Sequence, residues 1–263
     1  MRPLALGLPY KIVPMKYFFC TALVLLLLIG CSRDDKQVLV TELSVPIRDR
    51  VDAEIEVADL IHDIAIETWT PLFDGESMAG WSVPIYGGDG EVEVQEGNIV
   101  IGRGDSMTGI RYEKEFPNID YELQYEARRT GGYDFFAACT FPVKKSFCTF
   151  VNGGWGGGMV GLSSVNGYDA SENETNSYYD FKANTWYRFR IQVKSDQIQV
   201  WIATQDKEGN WEAEKTLVDL AIDDKTQLST RMEVSQYKPL GFCTWSTEGQ
   251  LRNIEYRTGG HSE

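Results

Sequence analysis

From Trp69 to about Thr258 the sequence predicts an all-β sandwich of the jelly-roll type, and three observations predict it. Short segments of alternating apolar and polar residues recur, separated by clusters of Gly, Asn, Asp and Ser. At least two pairs of these segments are spaced as hairpins. Past Trp69 no run is long enough or regular enough to read as a helix. About a dozen short strands with no helical layer are what two packed antiparallel sheets require.

The chain before that point has a different character. Met15-Lys16 supplies a short positive stretch, and Phe18 to Ile29 is apolar. This run is shorter than the roughly 20 residues of a comfortable span and suits the core of an export signal. "LLIGC" ends it at Cys31 and resembles a bacterial lipobox, which implies lipidation of Cys31 and cleavage before it; an uncut signal anchor is the alternative. Residues 1–14 read as an extension upstream of a better start at Met15. Ser32 is compatible with outer-membrane sorting, so the protein is expected to be exported and lipid-anchored in the cell envelope. Residues 32–68 read as a polar tether with a short helix near Val57–Ile66, and His62 within it as a surface residue. Residues 259–263 are a tail.

Within the sandwich the elements follow in order. "EVEVQEGNIVIG" is two strands about Glu96-Gly97. "IDYELQYEARR" is one long strand with Tyr121, Leu123, Tyr125 and Ala127 on one face and Glu122, Gln124, Glu126 and Arg128 on the other. "DFFAACTF" and "SFCTFV" flank "PVKK"; a loop of residues 142–145 sets Phe141 against Ser146 and Cys139 against Cys148. That register permits a disulfide or a pair of reduced core thiols. "WYRFRIQVKSDQIQVWIAT" is the clearest hairpin, with Tyr187, Phe189, Ile191 and Val193 on the side of Ile198, Val200 and Ile202, and Arg190 across from Trp201 as a cation–π pair. "WEAEKTLVDL", "MEVSQ", "LGFCTWS" and "QLRNIEYR" supply further strands.

Charge narrows the partners. The formal net charge is −14, and the first 31 residues hold three of the 25 basic side chains and none of the 39 acidic ones, so the remainder carries −17. Such a surface repels phosphate backbones, which argues against nucleic acid. Cys139, Cys148 and Cys243 remain after the leader, without the spacing of a zinc site.

Four stretches, taken together, resemble one family. "PLFDGESMAGW" (71–81), "DYELQYEARR" (120–129), "NTWYRFRIQVKSDQIQVWI" (184–202) and "LGFCTWSTEGQLRNIEYR" (240–257) are similar, in the same order, to motifs of the 3-keto-disaccharide hydrolase family. The resemblance implies a concanavalin-like, lectin-like jelly roll whose members act on or bind carbohydrate. Typical members carry a Gln and a His in the closing stretch and look metal-assisted; here that stretch reads "GFCTWST". The only histidines are His62 and His261, so a histidine acid, base or ligand is absent from the domain.

Carboxylates then have to carry any chemistry. Glycoside hydrolysis runs on two carboxyl groups about 5–10 Å apart. Glu122 and Glu126 sit four residues apart on one strand face, about 13 Å between Cα atoms, which is too far unless their side chains converge. Glu126 is the candidate acid or base, with Arg128 orienting it and Asp134 or Glu172 as possible partners from a loop. A solvated, ion-paired sheet face is the alternative for Glu126 and Arg128.

The segment "FVNGGWGGGMVGLSSVNGYDASENE" (150–174) points to ligand contact. Its glycines permit conformations closed to other residues and leave Trp155 few neighbours. A tryptophan face stacks on the C–H face of a sugar, and Asp169, Glu172, Asn173 and Glu174 are placed to bond its hydroxyls from the rim. The same oxygens offer calcium a set of ligands, without the spacing of a recognised calcium loop, and a purely structural loop is the third reading. Trp245 is a second stacking candidate or a core aromatic; Trp81, Trp186, Trp201 and Trp211 read as packing residues. The glycine segment is expected to bend over the face that carries Glu126 and Arg128. Two functions stay open: a glycoside hydrolase or lyase of the cell envelope, and a lectin-like binding lipoprotein without catalysis.

Overall fold

The structure is a computed structural model and describes residues 68–259. Cys31, the leader, the tether with His62, and the tail beyond Gly259 lie outside the described residues. In chain order the strands are β1 (Thr70–Pro71), β2 (Trp81–Ser82), β3 (Val92–Gln95), β4 (Asn98–Ile101), β5 (Met107–Tyr112), β6 (Tyr121–Gly131), β7 (Ala138–Val143), β8 (Ser146–Gly153), β9 (Met159–Ser163), β10 (Ser177–Tyr178), β11 (Tyr187–Val193), β12 (Gln197–Thr204), β13 (Lys215–Ala221), β14 (Leu240–Trp245) and β15 (Glu248–Thr258).

They form two antiparallel sheets. The first runs β13-β12-β11-β6-β15-β4-β3, with β1 added against β15; the second runs β10-β9-β8-β7-β14-β5-β2. This is a jelly-roll sandwich. The alternation read in the sequence fills the space between the sheets. Leu123, Tyr125 and Ala127 from β6 and Phe189 and Ile191 from β11 are fully buried, as are Phe150, Leu162 and Phe242 from the opposite sheet. The rings of Tyr125 and Phe242 meet across the sandwich at 4.8 Å between centroids. Burying a large side chain of this kind contributes about 1.5–3 kcal/mol each.

Turn chemistry sets the registers. Glu96 and Gly97 both have positive φ, 51° and 77°, and close β3 on β4 with Gln95 opposite Asn98; that is the twist two-residue hairpins favour. Tyr187 to Val193 pair with Thr204 to Ile198 as the alternation predicts, and Arg190 lies opposite Trp201.

The register of β7 on β8 corrects the sequence reading. Val143, and not Phe141, pairs with Ser146; Cys139 faces Phe150 and Cys148 faces Phe141. The turn has only two residues, with Lys144 at φ 55°. Pro142 stays in the strand for a physical reason. β14 pairs with β7 only as far as Thr140, so no partner asks for the missing N–H. Its carbonyl accepts the Tyr121 hydroxyl at 2.7 Å. All three cysteines of the described residues are therefore free and buried.

Candidate functional site: a cleft on the outer face of the second sheet

Strand alternation gives the second sheet an outer face. Met107 (β5), Ala138 (β7), Thr149 and Val151 (β8) and Ser163 (β9) point away from the core and floor a cleft of about 240 Å³. Three connections wall it. The β6–β7 connection brings Asp134 and Phe135, the β8–β9 turn brings Trp155, and the β13–β14 connection brings Arg231, Glu233 and Val234; Trp245 closes the end of β14.

The tryptophan turn is built by its glycines. Gly153, Gly156 and Gly157 have φ of 82°, 91° and 107°, and Trp155 itself sits left-handed at φ 48°, ψ 50°. A bulky residue is uncommon there, so the surroundings must hold it. The Asp134 carboxylate accepts the backbone N–H of Phe135 at 2.8 Å, and the backbone N–H groups of Gly156 and Trp155 favour its charged form. From the other side the Arg129 guanidinium donates to the carbonyls of Gly157 at 3.3 Å and Phe181 at 2.9 Å. The indole is left 45% exposed, and the Trp245 indole 37%. A large aromatic ring that stays this exposed at a cleft is a surface awaiting a partner.

The cleft carboxyls differ in environment. Burial pushes the Asp134 carboxyl above its ordinary pKa, opposed by the three N–H groups and by Arg129. Glu233 is held below its ordinary value, first by its own backbone N–H and then by Arg231, whose guanidinium lies 3.5 Å away. Arg231 also pairs with Asp169, and Asp169 in turn accepts the Ser163 hydroxyl.

The sequence-predicted residues thus divide. Asp134, Trp155 and Trp245 come together in the cleft, and Asp169 backs its wall. Asn173 does not face a ligand. Its amide N–H groups go to the carbonyls of Leu162 (2.7 Å), Tyr168 (3.1 Å) and Asp169 (2.8 Å), and its oxygen accepts from Thr175, so it fastens its own loop. Glu172 and Glu174 are exposed on that loop and do not line the cleft.

Glu126 and Arg128 lie on the other sheet, so the glycine segment does not overlie them. This corrects the sequence reading. Glu126 is 3% exposed and accepts from Arg188 at 2.9 Å and Arg252 at 2.7 Å. Glu122 is likewise paired with Arg190 and Arg257 and bonded by Gln192. Tryptophans lie against these arginines: Arg190 sits 3.9 Å from the Trp201 ring, Arg188 4.2 Å from Trp211, Arg252 4.0 Å and Arg128 4.6 Å from Trp186, and Arg257 4.8 Å from Trp69. The argument that unpaired charge cannot be buried was sound. The protein meets it by pairing the charges under a layer of indoles, not by opening a cleft. Arg128 donates to Gln250 at 2.8 Å and belongs to that layer.

Sequence reasoning missed Phe135, Arg231 and Glu233. Phe135 sits next to Asp134 and was within reach; Glu233 lies in "MEVSQ" (232–236), which the alternation predicts as a strand but which forms a turn and a short 3-10 helix at Ser235–Tyr237, because no neighbouring strand pairs with it. Among the described residues there is no group of three or more His, Cys, Asp and Glu side chains able to hold an ion, and no histidine at all.

The sequence model of the 3-keto-alpha-glucoside-1,2-lyase-like domain matches residues 68–257. The chain belongs to this family. Its motifs in 71–81, 120–129, 184–202 and 240–257 thus fall inside the matched span, and the fold expected from them is the one observed. Among solved structures, the exoplasmic/lumenal domain of VIP36, in a form bound to Ca2+ and Man3GlcNAc, is similar at 10% identity, covering 75% of this chain and 92% of that one, with a TM-score of 0.49. The carbohydrate-binding module CBM66 from Bacillus subtilis is similar at 12% identity, covering 68% and 96%, with a TM-score of 0.36. Peanut lectin is similar at 10% identity, covering 70% and 93%, with a TM-score of 0.46. No curated protein matches the chain.

Proposed function

We propose that the chain takes a sugar into the cleft of the second sheet and cleaves a 3-keto-glycoside there. One observation carries this reading: two half-exposed indoles stand over a single cleft that holds two carboxyls with opposite displacements of pKa. The indoles suit the C–H faces of a pyranose. In a 3-keto-glucoside the proton on C2 lies next to the ketone and is acidic. Glu233, kept ionised, serves as the base that removes it. As the C1–C2 double bond forms, the C1–O bond breaks, and the departing oxygen takes its proton from Asp134, the carboxyl displaced upward. Export and lipid anchoring at Cys31, with a place in the cell envelope, belong to the same proposal and rest on the leader sequence.

A second reading is favoured by a specific observation. Asp134 already accepts the Phe135 N–H and faces the N–H groups of the Trp155 turn, and Glu233 is already paired with Arg231. On that reading the cleft binds sugar without turning it over.

Turnover of a 3-keto-disaccharide separates the two. If the cleft is catalytic, Glu233→Gln and Asp134→Asn each lower kcat by about 10²-fold or more while sugar still binds to Glu233→Gln. Binding by the wild type with no release of product supports the lectin-like reading. A rise in Tm with calcium, abolished by EDTA, would instead make Asp169, Glu172 and Glu174 metal ligands. Intact mass of the membrane fraction tests the anchor: an unmodified, uncleaved N-terminus removes it.

A further inference from the structure

The cleft is too small for the whole of a glycan. Pockets that enclose a ligand of drug size measure roughly 300–1,000 Å³, and this one measures about 240 Å³. A disaccharide or longer ligand must run out over the rim, and the surface beyond the rim is not uniform.

Beyond Trp155 lies the edge strand β10. Tyr178 there pairs with Met159 on β9. Val160 and Leu162 of β9 point into the core at 0% exposure, so Met159, and with it Tyr178, points to the outer face that bears the cleft. The Tyr178 ring lies directly on the backbone of Gly158; a Cβ at that position would come within 2.9 Å of it. On the cleft side, the carbonyl of Tyr133 lies against Gly157, and Tyr133 is followed at once by Asp134. Tyr178 is 71% exposed and Tyr133 81%. The nearly bare Tyr178 ring therefore lies against the glycine turn that presents Trp155, and the backbone of a second nearly bare tyrosine, Tyr133, lies at the same turn.

Exposed tyrosines are poor material for a core and good material for a sugar. They offer a rigid apolar face and a hydroxyl, at little cost in conformational freedom. From this arrangement we infer that the site takes a glycan chain of three or more residues, one ring held in the cleft against Trp155 and Trp245 and the following rings against Tyr178 and Tyr133. The inference rests on the carbohydrate reading of the cleft and adds the length of the ligand and the direction in which it leaves, toward β10. Gly158 has a role in it, since a side chain there would collide with the Tyr178 ring and displace it.

The test is a calorimetric titration with α- and β-linked gluco-oligosaccharides of two to six residues. The wild type is expected to bind about tenfold more tightly as the chain grows past two residues, the scale of one good aromatic contact. Tyr178→Ala should abolish that gain with length, and Tyr178→Phe, which keeps the ring, should retain it. Equal affinity at every length in the wild type overturns the inference. So does a gain that persists when Tyr178 and Tyr133 are both replaced by alanine. Binding at no length by a folded wild type overturns the inference, while turnover of a 3-keto-disaccharide tests the carbohydrate reading on its own.

Discussion

Asp134 joins two tasks that the sequence does not connect. It fastens the left-handed Trp155 turn through backbone N–H groups, and it lines the cleft with a carboxyl that burial displaces upward. The displacement has a sign that can be measured. A carboxyl whose pKa is higher folded than unfolded binds its proton more readily in the native state. Compared with Asp134→Asn, which does not titrate, the wild type should gain stability as pH falls through the raised pKa, and the gain should be complete below the ordinary aspartate value of about 3.9. Urea midpoints for the two proteins across the acid range check this; parallel curves would show that the carboxyl is not desolvated. Trp155 gives a second prediction at this scale. It is 45% exposed and packs little, so Trp155→Ala should leave Tm nearly unchanged while sugar affinity falls by about 1–3 kcal/mol. A large loss of stability with unchanged affinity would make the turn a purely structural feature.

Each sheet turns one face outward, and the two faces solve different problems. On the second sheet the floor is small and uncharged, Ala138, Thr149, Val151 and Ser163, which leaves room for a ligand. On the first, β6, β11 and β15 place Glu122 and Glu126 in register with Gln192 and Arg188 on one side and with Arg257 and Arg252 on the other. Carboxylates flanked in this way are held by charge-assisted bonds, and the indoles above exclude water. Taking one partner out of a buried network strands the rest. Glu126→Gln should therefore destabilise the fold by about 2–3 kcal/mol, less than a fully buried pair would lose because Arg188 and Arg252 keep over a quarter of their surface in solvent. Turnover per folded molecule should not change. A catalytic defect without a stability defect would return Glu126 to the site.

For the whole molecule, the sandwich seals its thiols. Cys139, Cys148 and Cys243 are each 0% exposed. Burial pushes all three thiols up, Cys148 to about 12. The thiolate is the reactive form, so none of the three should react with Ellman's reagent in the native protein, and all three should react after unfolding in guanidinium. One native-state titre would mean that a sheet opens; a titre of one after unfolding would mean that a disulfide had formed. The acidic balance of residues 68–259, 28 acidic against 18 basic side chains, works against phosphate-bearing partners.

Periodicity alone was enough for most of the strands ("MEVSQ" excepted), for the partition of β6 and β11 into inner and outer faces, for the Arg190–Trp201 pair and for the turn at Glu96-Gly97. Each depends on residues close in the chain, where the two-residue repeat and the turn chemistry act directly. The exposed indole at Trp155 was legible for the same reason, because its glycine neighbours cannot bury it. Which face that indole serves was not legible. A period of two says that Glu126 and Tyr125 point opposite ways; it does not say which sheet each strand joins. Only the pairing of β6 with β11 and β15, and of β8 with β7 and β9, decided that Glu126 is sealed beneath arginine and tryptophan while Trp155 meets Asp134, Trp245 and Glu233. Those contacts join residues far apart in sequence and are selected by burial of the whole core, a quantity no local stretch contains.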